Sequence, residues 1–232
     1  MVPVLVILTI AAFLLLDVYW VHRRRKATRT LIRACSASEE NLSAGETPLF
    51  FHPGHTWVRL AEDGTATMGV CDVVAHLAGR LDEVQLPEPG KKMHQGQTAW
   101  SLTSANGRHL SQVTPLSGEV LKTNKEVLRN PGLLLEDPYG RGWLVKTRIS
   151  NLETGLRNLL GGHAAHQWLD RSRTSLASML QPALGHAALD GGTWQIAFGD
   201  ELDEDQWQNI RDAMVGSPGA LAHPGPQPVR MY

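Results

Sequence analysis

The sequence predicts a mainly β domain that follows an apolar N-terminal helix and is itself followed by a helical extension. Three observations carry this. Between Phe50 and Ile149, short runs rich in Val, Thr, Leu and Trp alternate with turn signals at Asp63-Gly64, Pro87 to Gly90, Asn106-Gly107 and Pro115 to Gly118. Residues 2–21 are apolar except for Asp17, and about 20 such residues span a hydrocarbon layer of roughly 30 Å. Beyond Ile149 the apolar positions change to helical spacing, at Leu152, Leu156, Leu159 and Leu160 and then at Trp168, Leu169, Leu176, Met179 and Leu180.

Composition narrows the function classes. A hydrophobic content of 42% supports a packed core, and a formal net charge of -1 carries no nucleic-acid footprint. The two cysteines, Cys35 and Cys71, have no paired spacing, which fits a reducing compartment rather than a disulfide or zinc framework. No GxSxG elbow or phosphate loop occurs. Metal ligands must converge, and His52, His55, His94 and His109 fall on separate loops and strand ends, while His163 and His166 sit one turn apart without a third ligand. Asp82 and Glu83 are adjacent on a strand and so point to opposite faces. The expectation is a protein that is not an enzyme and holds no metal.

No Lys or Arg precedes the apolar run, and His22-Arg23-Arg24-Arg25-Lys26 follows it at once. A cleaved signal peptide has the reverse arrangement, so the run reads as a retained anchor. Basic flanks stay on the cytoplasmic side, which predicts a single-pass span in the inner (cytoplasmic) membrane, with the N-terminus out and everything after Arg23 in the cytoplasm. Tyr19 and Trp20 match an interfacial aromatic belt, and Asp17 lies close enough to that boundary to reach it. The anchor with its flank is residues 1–26, and residues 27–48, rich in Ser, Glu and Gly around Ala34 to Pro48, read as a linker.

Within the β region, Trp57 to Leu60 and Thr65 to Val70 form a hairpin around Asp63-Gly64. Val73, Val74 and Leu77 mark one face of a short helix ending near Gly79. Leu81 to Leu86 is a strand. Ala99 to Leu121 reads as two strands closed at Asn106-Gly107, a pair that suits a type I′ turn, then a third strand after Pro115 to Gly118. Glu119 to Thr123, Glu126 to Leu128 and Trp143 to Ile149 add a strand, a helical turn and a closing strand. Gly161-Gly162 stops the Leu152 to Leu160 helix. A second helix runs from His163 to Leu180, Trp194 to Phe198 is extended, and Asp203 with Gln206 caps a helix bearing Trp207, Ile210 and Met214. The mainly helical extension covers residues 161–215. The Pro-rich residues 216–232 form a disordered tail.

Six groups of residues, in order, resemble the H protein of the glycine cleavage system. These are His55-Thr56-Trp57-Val58, Asp63 to Val70, Leu86-Pro87-Glu88-Pro89-Gly90, Pro115-Leu116-Ser117-Gly118-Glu119-Val120, Asn130-Pro131, and Glu136 to Gly140 with Gly142-Trp143-Leu144. The resemblance covers Phe50 to Leu160 and places a domain at residues 49–160. It implies a barrel-sandwich hybrid of the lipoyl-domain type. It also implies a carrier rather than a catalyst, whose lipoyl-lysine shuttles an aminomethyl group between glycine decarboxylase, aminomethyltransferase and dihydrolipoyl dehydrogenase, a tethered intermediate at high effective concentration.

The family's spacing from Pro115 puts the lipoyl acceptor at Gly107, which has no side chain to modify. Arg108 offers no replacement, because a guanidinium stays protonated. Lys91, Lys92, Lys122 and Lys125 lie away from the tip. The expectation is a membrane-tethered module without lipoate that binds or scaffolds an unidentified cytoplasmic protein, with Asn106, Gly107, Arg108 and His109 as the partner-binding residues. The alternatives are a lipoyl carrier in glycine decarboxylation modified at another lysine, and a metal or redox enzyme using the histidines and Cys71.

Overall fold

The computed structural model describes residues 10–19, 49–184, 189–190, 193–194 and 197–215. The expected linker at 27–48 and tail at 216–232 lie outside the described residues, as do Trp20, the basic flank and Cys35. Residues 10–19 are helical (α1), with Phe13, Leu15 and Val18 more than half exposed. Among the described residues, no helix is long and apolar enough to cross a membrane.

Two antiparallel sheets build the domain. The larger has the order β1-β2-β3-β9-β8-β5 and the smaller β4-β6-β7. Their strands are β1 (Leu49–His52), β2 (Thr56–Leu60), β3 (Thr65–Val70), β4 (Leu81–Gln85), β5 (Lys92–Met93), β6 (Thr98–Ser104), β7 (His109–Val113), β8 (Gly118–Thr123) and β9 (Val145–Ile149). Helix α2 (Asp72–Ala78) ends at Gly79, whose φ of 73° accounts for the stop signal. Short helices α3 (Lys125–Arg129) and α4 (Leu133–Glu136) lead into the last strand. Asn124 caps α3 by accepting from Glu126 N–H.

Strand β9 and the start of β7 alternate buried and exposed residues, whereas β2 is covered on both faces, with Thr56, Trp57 and Val58 all buried. Trp57 is fully buried, its indole Nε1 donates to the Pro138 carbonyl at 3.1 Å, and its ring lies so close to β3 that a Cβ at Gly69 would stand 2.7 Å from it. Only glycine permits that approach. Met68, Leu102, Leu110, Leu116 and Leu144 complete the centre.

Three sequence expectations are corrected here. Asn106 has a negative φ and Gly107 alone a positive one, 76°, so the hairpin is not type I′. Ser104 N–H donates to the Arg108 carbonyl at 2.9 Å and Gly107 N–H to the Ser104 carbonyl at 2.9 Å, the signature of a three-residue loop ending in a left-handed glycine. Helix α5 stops at Leu156 (Leu152–Leu156), because Leu160 bridges to Phe51 instead, and Gly162, expected as a stop, opens the next helix. A bulge between Leu81 and Glu83 leaves both Asp82 and Glu83 exposed.

The extension packs back on the domain. Helix α6 (Gly162–Leu184) buries Leu169, Leu176 and Leu180, and α7 (Glu204–Met214) buries Trp207 and Ile210, all within the domain's own core cluster. Full burial of each such leucine or isoleucine side chain is worth roughly 1.5–3 kcal/mol. The expected extended run from Trp194 to Phe198 is a two-residue strand, Thr193–Trp194, paired with Leu189–Asp190, and a 3-10 turn at Phe198–Asp200, with residues 195–196 outside the described set. Asp203 and Gln206 form the expected capping box of α7, each bonding the other's backbone.

Candidate functional site

The hairpin between β6 and β7 projects its tip into solvent. Asn106 and Gly107 are exposed, and nothing lies within 4 Å of a Cβ built on Gly107. Below the tip, Ala105 N–H donates to the Arg80 carbonyl at 2.8 Å, which fixes the loop against the start of β4. His109 sits at the first position of β7, its Nδ1 3.0 Å from Thr103 Oγ1 across the hairpin, and is exposed.

Arg108 departs from the sequence expectation of a displayed cation. Its side chain is only 10% exposed and turns onto the extension. Nη1 donates to the Gly199 carbonyl at 2.6 Å, Nη2 to the Leu202 carbonyl at 2.8 Å, and Nε to Glu204 Oε2 at 3.0 Å, with the guanidinium 5.3 Å from the Trp207 ring centroid. The planar five-donor fork is what lets one side chain satisfy three acceptors. Hydrogen bonds from Gln208 and Arg108 hold the Glu204 carboxyl below its usual range. Asp200 accepts from Arg80 N–H at 2.9 Å, and Trp207 Nε1 donates to the Leu77 carbonyl at 2.9 Å. The shoulder of the tip is therefore roofed by residues 198–207.

A second polar group holds the other end of the extension. The Asp72 carboxylate accepts from Arg173 through Nε and Nη2 at 3.0 and 2.6 Å and from Tyr139 Oη at 2.7 Å. Cys71 lies beside it, and burial raises its thiol pKa well above the ordinary value. Burial likewise raises the Tyr139 phenol and lowers His55, to about 4. His55 packs at 4.8 Å on Trp168 of α6, with its Nδ1 lacking a hydrogen-bond partner.

The histidines do not converge. Among the described residues no group of three His, Cys, Asp or Glu is placed to hold a metal ion, and His163 Nε2 lies 2.8 Å from Gln167 Nε2. Cys71 is buried and burial disfavours its thiolate, so it lacks the exposed, electropositive setting of a reactive cysteine.

A mainly β scaffold of two antiparallel sheets, with the β6–β7 hairpin tip exposed, defines a module of the lipoyl-domain type. Residues 49–172 match the family model described as Glycine cleavage H-protein, and the chain belongs to that family. It is 38% identical over 114 residues to glycine cleavage system H protein 2 of Aquifex aeolicus, covering 49% of this chain and 70% of that one. It is 34% identical over 123 residues to a probable glycine cleavage system H protein of Thermococcus gammatolerans, covering 53% and 90%. A solved H protein from Mycobacterium marinum superposes with a TM-score of 0.47 at 25% identity, over 53% of this chain and 94% of that one. The family match ends inside α6, so Arg173 and all of α7 lie beyond it.

The fold and the position of the tip were readable from the six matching groups. The roles of Arg108 and Asp72 were not, because their partners are 67 to 101 residues away in sequence.

Proposed function

We propose that this chain is an H-protein-family module that works as a binding subunit without carrying lipoate at its hairpin tip, tethered to the inner face of the cytoplasmic membrane by its N-terminal apolar run. The observation that carries the reading is Gly107 at the tip. The residues there do not fit the family's cofactor: a lipoyl amide needs a primary amine, Gly107 has no side chain, and Arg108 is committed to the Gly199 and Leu202 carbonyls. The side of the tip open to a partner is then Asn106, Gly107 and His109. The tether rests on residues 2–21 and the basic residues after them, and on the exposed apolar side chains of α1.

A second reading, a lipoyl carrier in glycine decarboxylation, is favoured by the names of the two relatives above, a glycine cleavage system H protein 2 and a probable glycine cleavage system H protein. It requires a lysine away from the tip and would make glycine decarboxylase, aminomethyltransferase and dihydrolipoyl dehydrogenase the partners. Intact-mass spectrometry of the native protein separates the two. The first expects the unmodified mass, and a lipoyl adduct on any lysine would replace it with the second.

A further inference from the structure

The β8–β9 end of the large sheet carries a surface that neither reading uses. Lys122 and Lys146 are direct register partners across the two strands, and both are exposed. Like charges opposite one another destabilise a sheet. Both ammonium groups are gathered over one ring, 5.9 and 5.4 Å from the Trp143 centroid, and among the described residues neither has a carboxylate within ion-pair distance. Beside them Lys122, Lys125, Glu126, Arg141 and Trp143 line a cleft of about 550 Å3. Its one acid, Glu126, meets Arg141 at 3.7 Å between two side chains that are each about two-thirds exposed, a pair too solvated to cancel the local positive field.

Apolar exposure falls in the same place. Outside α1, the large hydrophobic residues exposed among the described set are Leu121 at 37% and Leu128 at 47%. The β8 bulge between Val120 and Lys122 puts Leu121 out of register next to Lys122. Leu128 stands three residues from Lys125 on α3, hence on the same side of that helix. The same row of the sheet continues from Lys146 through Thr67 and Arg59 to Leu49, where the chain arriving from the N-terminal run joins the domain.

Cations, an indole and two exposed leucines on one surface match the chemistry of a bilayer interface, where ammonium groups meet anionic headgroups and leucine and tryptophan enter the boundary. We propose that this surface docks the domain on an anionic lipid bilayer. The inference rests on the tether only for proximity, since the N-terminal run brings the chain to the membrane and the surface sets how the domain lies on it.

The test uses the full chain with vesicles of phosphatidylcholine alone or mixed with phosphatidylglycerol. Sedimentation with the neutral vesicles reads the tether. Amine-reactive labelling read by mass spectrometry then reports the surface: Lys122, Lys125 and Lys146 are expected to be protected several-fold more on the anionic vesicles, with Lys91 unchanged and the protection lost at high salt. In a Lys122→Glu, Leu128→Glu variant, protection at Lys125 and Lys146 should disappear while neutral-vesicle sedimentation stays. Equal labelling on the two vesicles overturns the docking surface whether or not the tether holds. Protection by soluble polyglutamate as strong as by vesicles also overturns it, in favour of an acidic protein partner.

Discussion

The extension is held by two arginine anchors of opposite design. At α6, the buried member is the anion: the Asp72 side chain is 11% exposed against 29% for Arg173. At the hairpin the buried member is the cation, Arg108 at 10% against 57% for Glu204, and most of its bonds go to backbone carbonyls. Breaking a buried pair costs more than the pair contributes, because the group left behind stays desolvated. The first anchor therefore depends on its arginine, and the second hardly depends on its carboxylate.

Arg173→Ala should have the largest effect. It leaves Asp72 with Tyr139 as its remaining side-chain donor, and a loss of about 3–5 kcal/mol is expected from denaturant unfolding. Equal midpoints for variant and parent would show that the Asp72 cluster does not hold α6.

Acid should loosen the same end of the molecule. His55 is neutral in its buried site, with a pKa near 4 against an ordinary 6.5, chiefly from burial. A depressed histidine pKa means that the unfolded chain binds the extra proton first, so stability is full above 6.5 and falls as pH drops from 6.5 towards 4, by on the order of 3 kcal/mol. His52 and His76 shift in the same direction, also through burial. A midpoint unchanged across that window, or a slope removed less by His55→Asn than by His94→Asn, would contradict this assignment.

Arg108→Ala should rank below both, at about 2 kcal/mol, from lost charge-assisted bonds to two carbonyls and the contact with Trp207. Hydrogen exchange should rise in residues 198–215 and remain unchanged in β2 and β3. A rise spread over the whole domain would mean that Arg108 supports the fold rather than the docking of α7.

Glu204→Gln is expected to leave the unfolding midpoint unchanged, because the carboxylate is exposed and Arg108 keeps both carbonyls. A loss comparable to that of Arg108→Ala would reverse the comparison between the anchors.

Much of the domain was legible in local chemistry. Asp63-Gly64 closes a hairpin through the Asp63 side chain, which accepts from Thr65 N–H at 2.9 Å, and Asp203 with Gln206 caps α7 through bonds that span three residues. These features depend on near neighbours, and a sequence displays near neighbours directly. The type I′ assignment failed because Asn-Gly also suits a loop in which glycine alone takes the positive φ, and the flanking pair, Ser104 with Arg108, decides between them. The helix expected through Leu160 failed because Leu160 gives its backbone bonds to Phe51 in β1.

By itself the sequence determined the β-rich scaffold, its family and the exposed hairpin tip at Asn106-Gly107, because turn chemistry, alternation and side-chain identity are properties of the chain as written. Only the tertiary structure decided that Arg108 faces inward to α7, that Asp72 receives Arg173, and that Lys122 stands opposite Lys146. Each of these depends on packing and strand register, which bring together residues from distant parts of the chain through burial and pairing rather than through spacing along it.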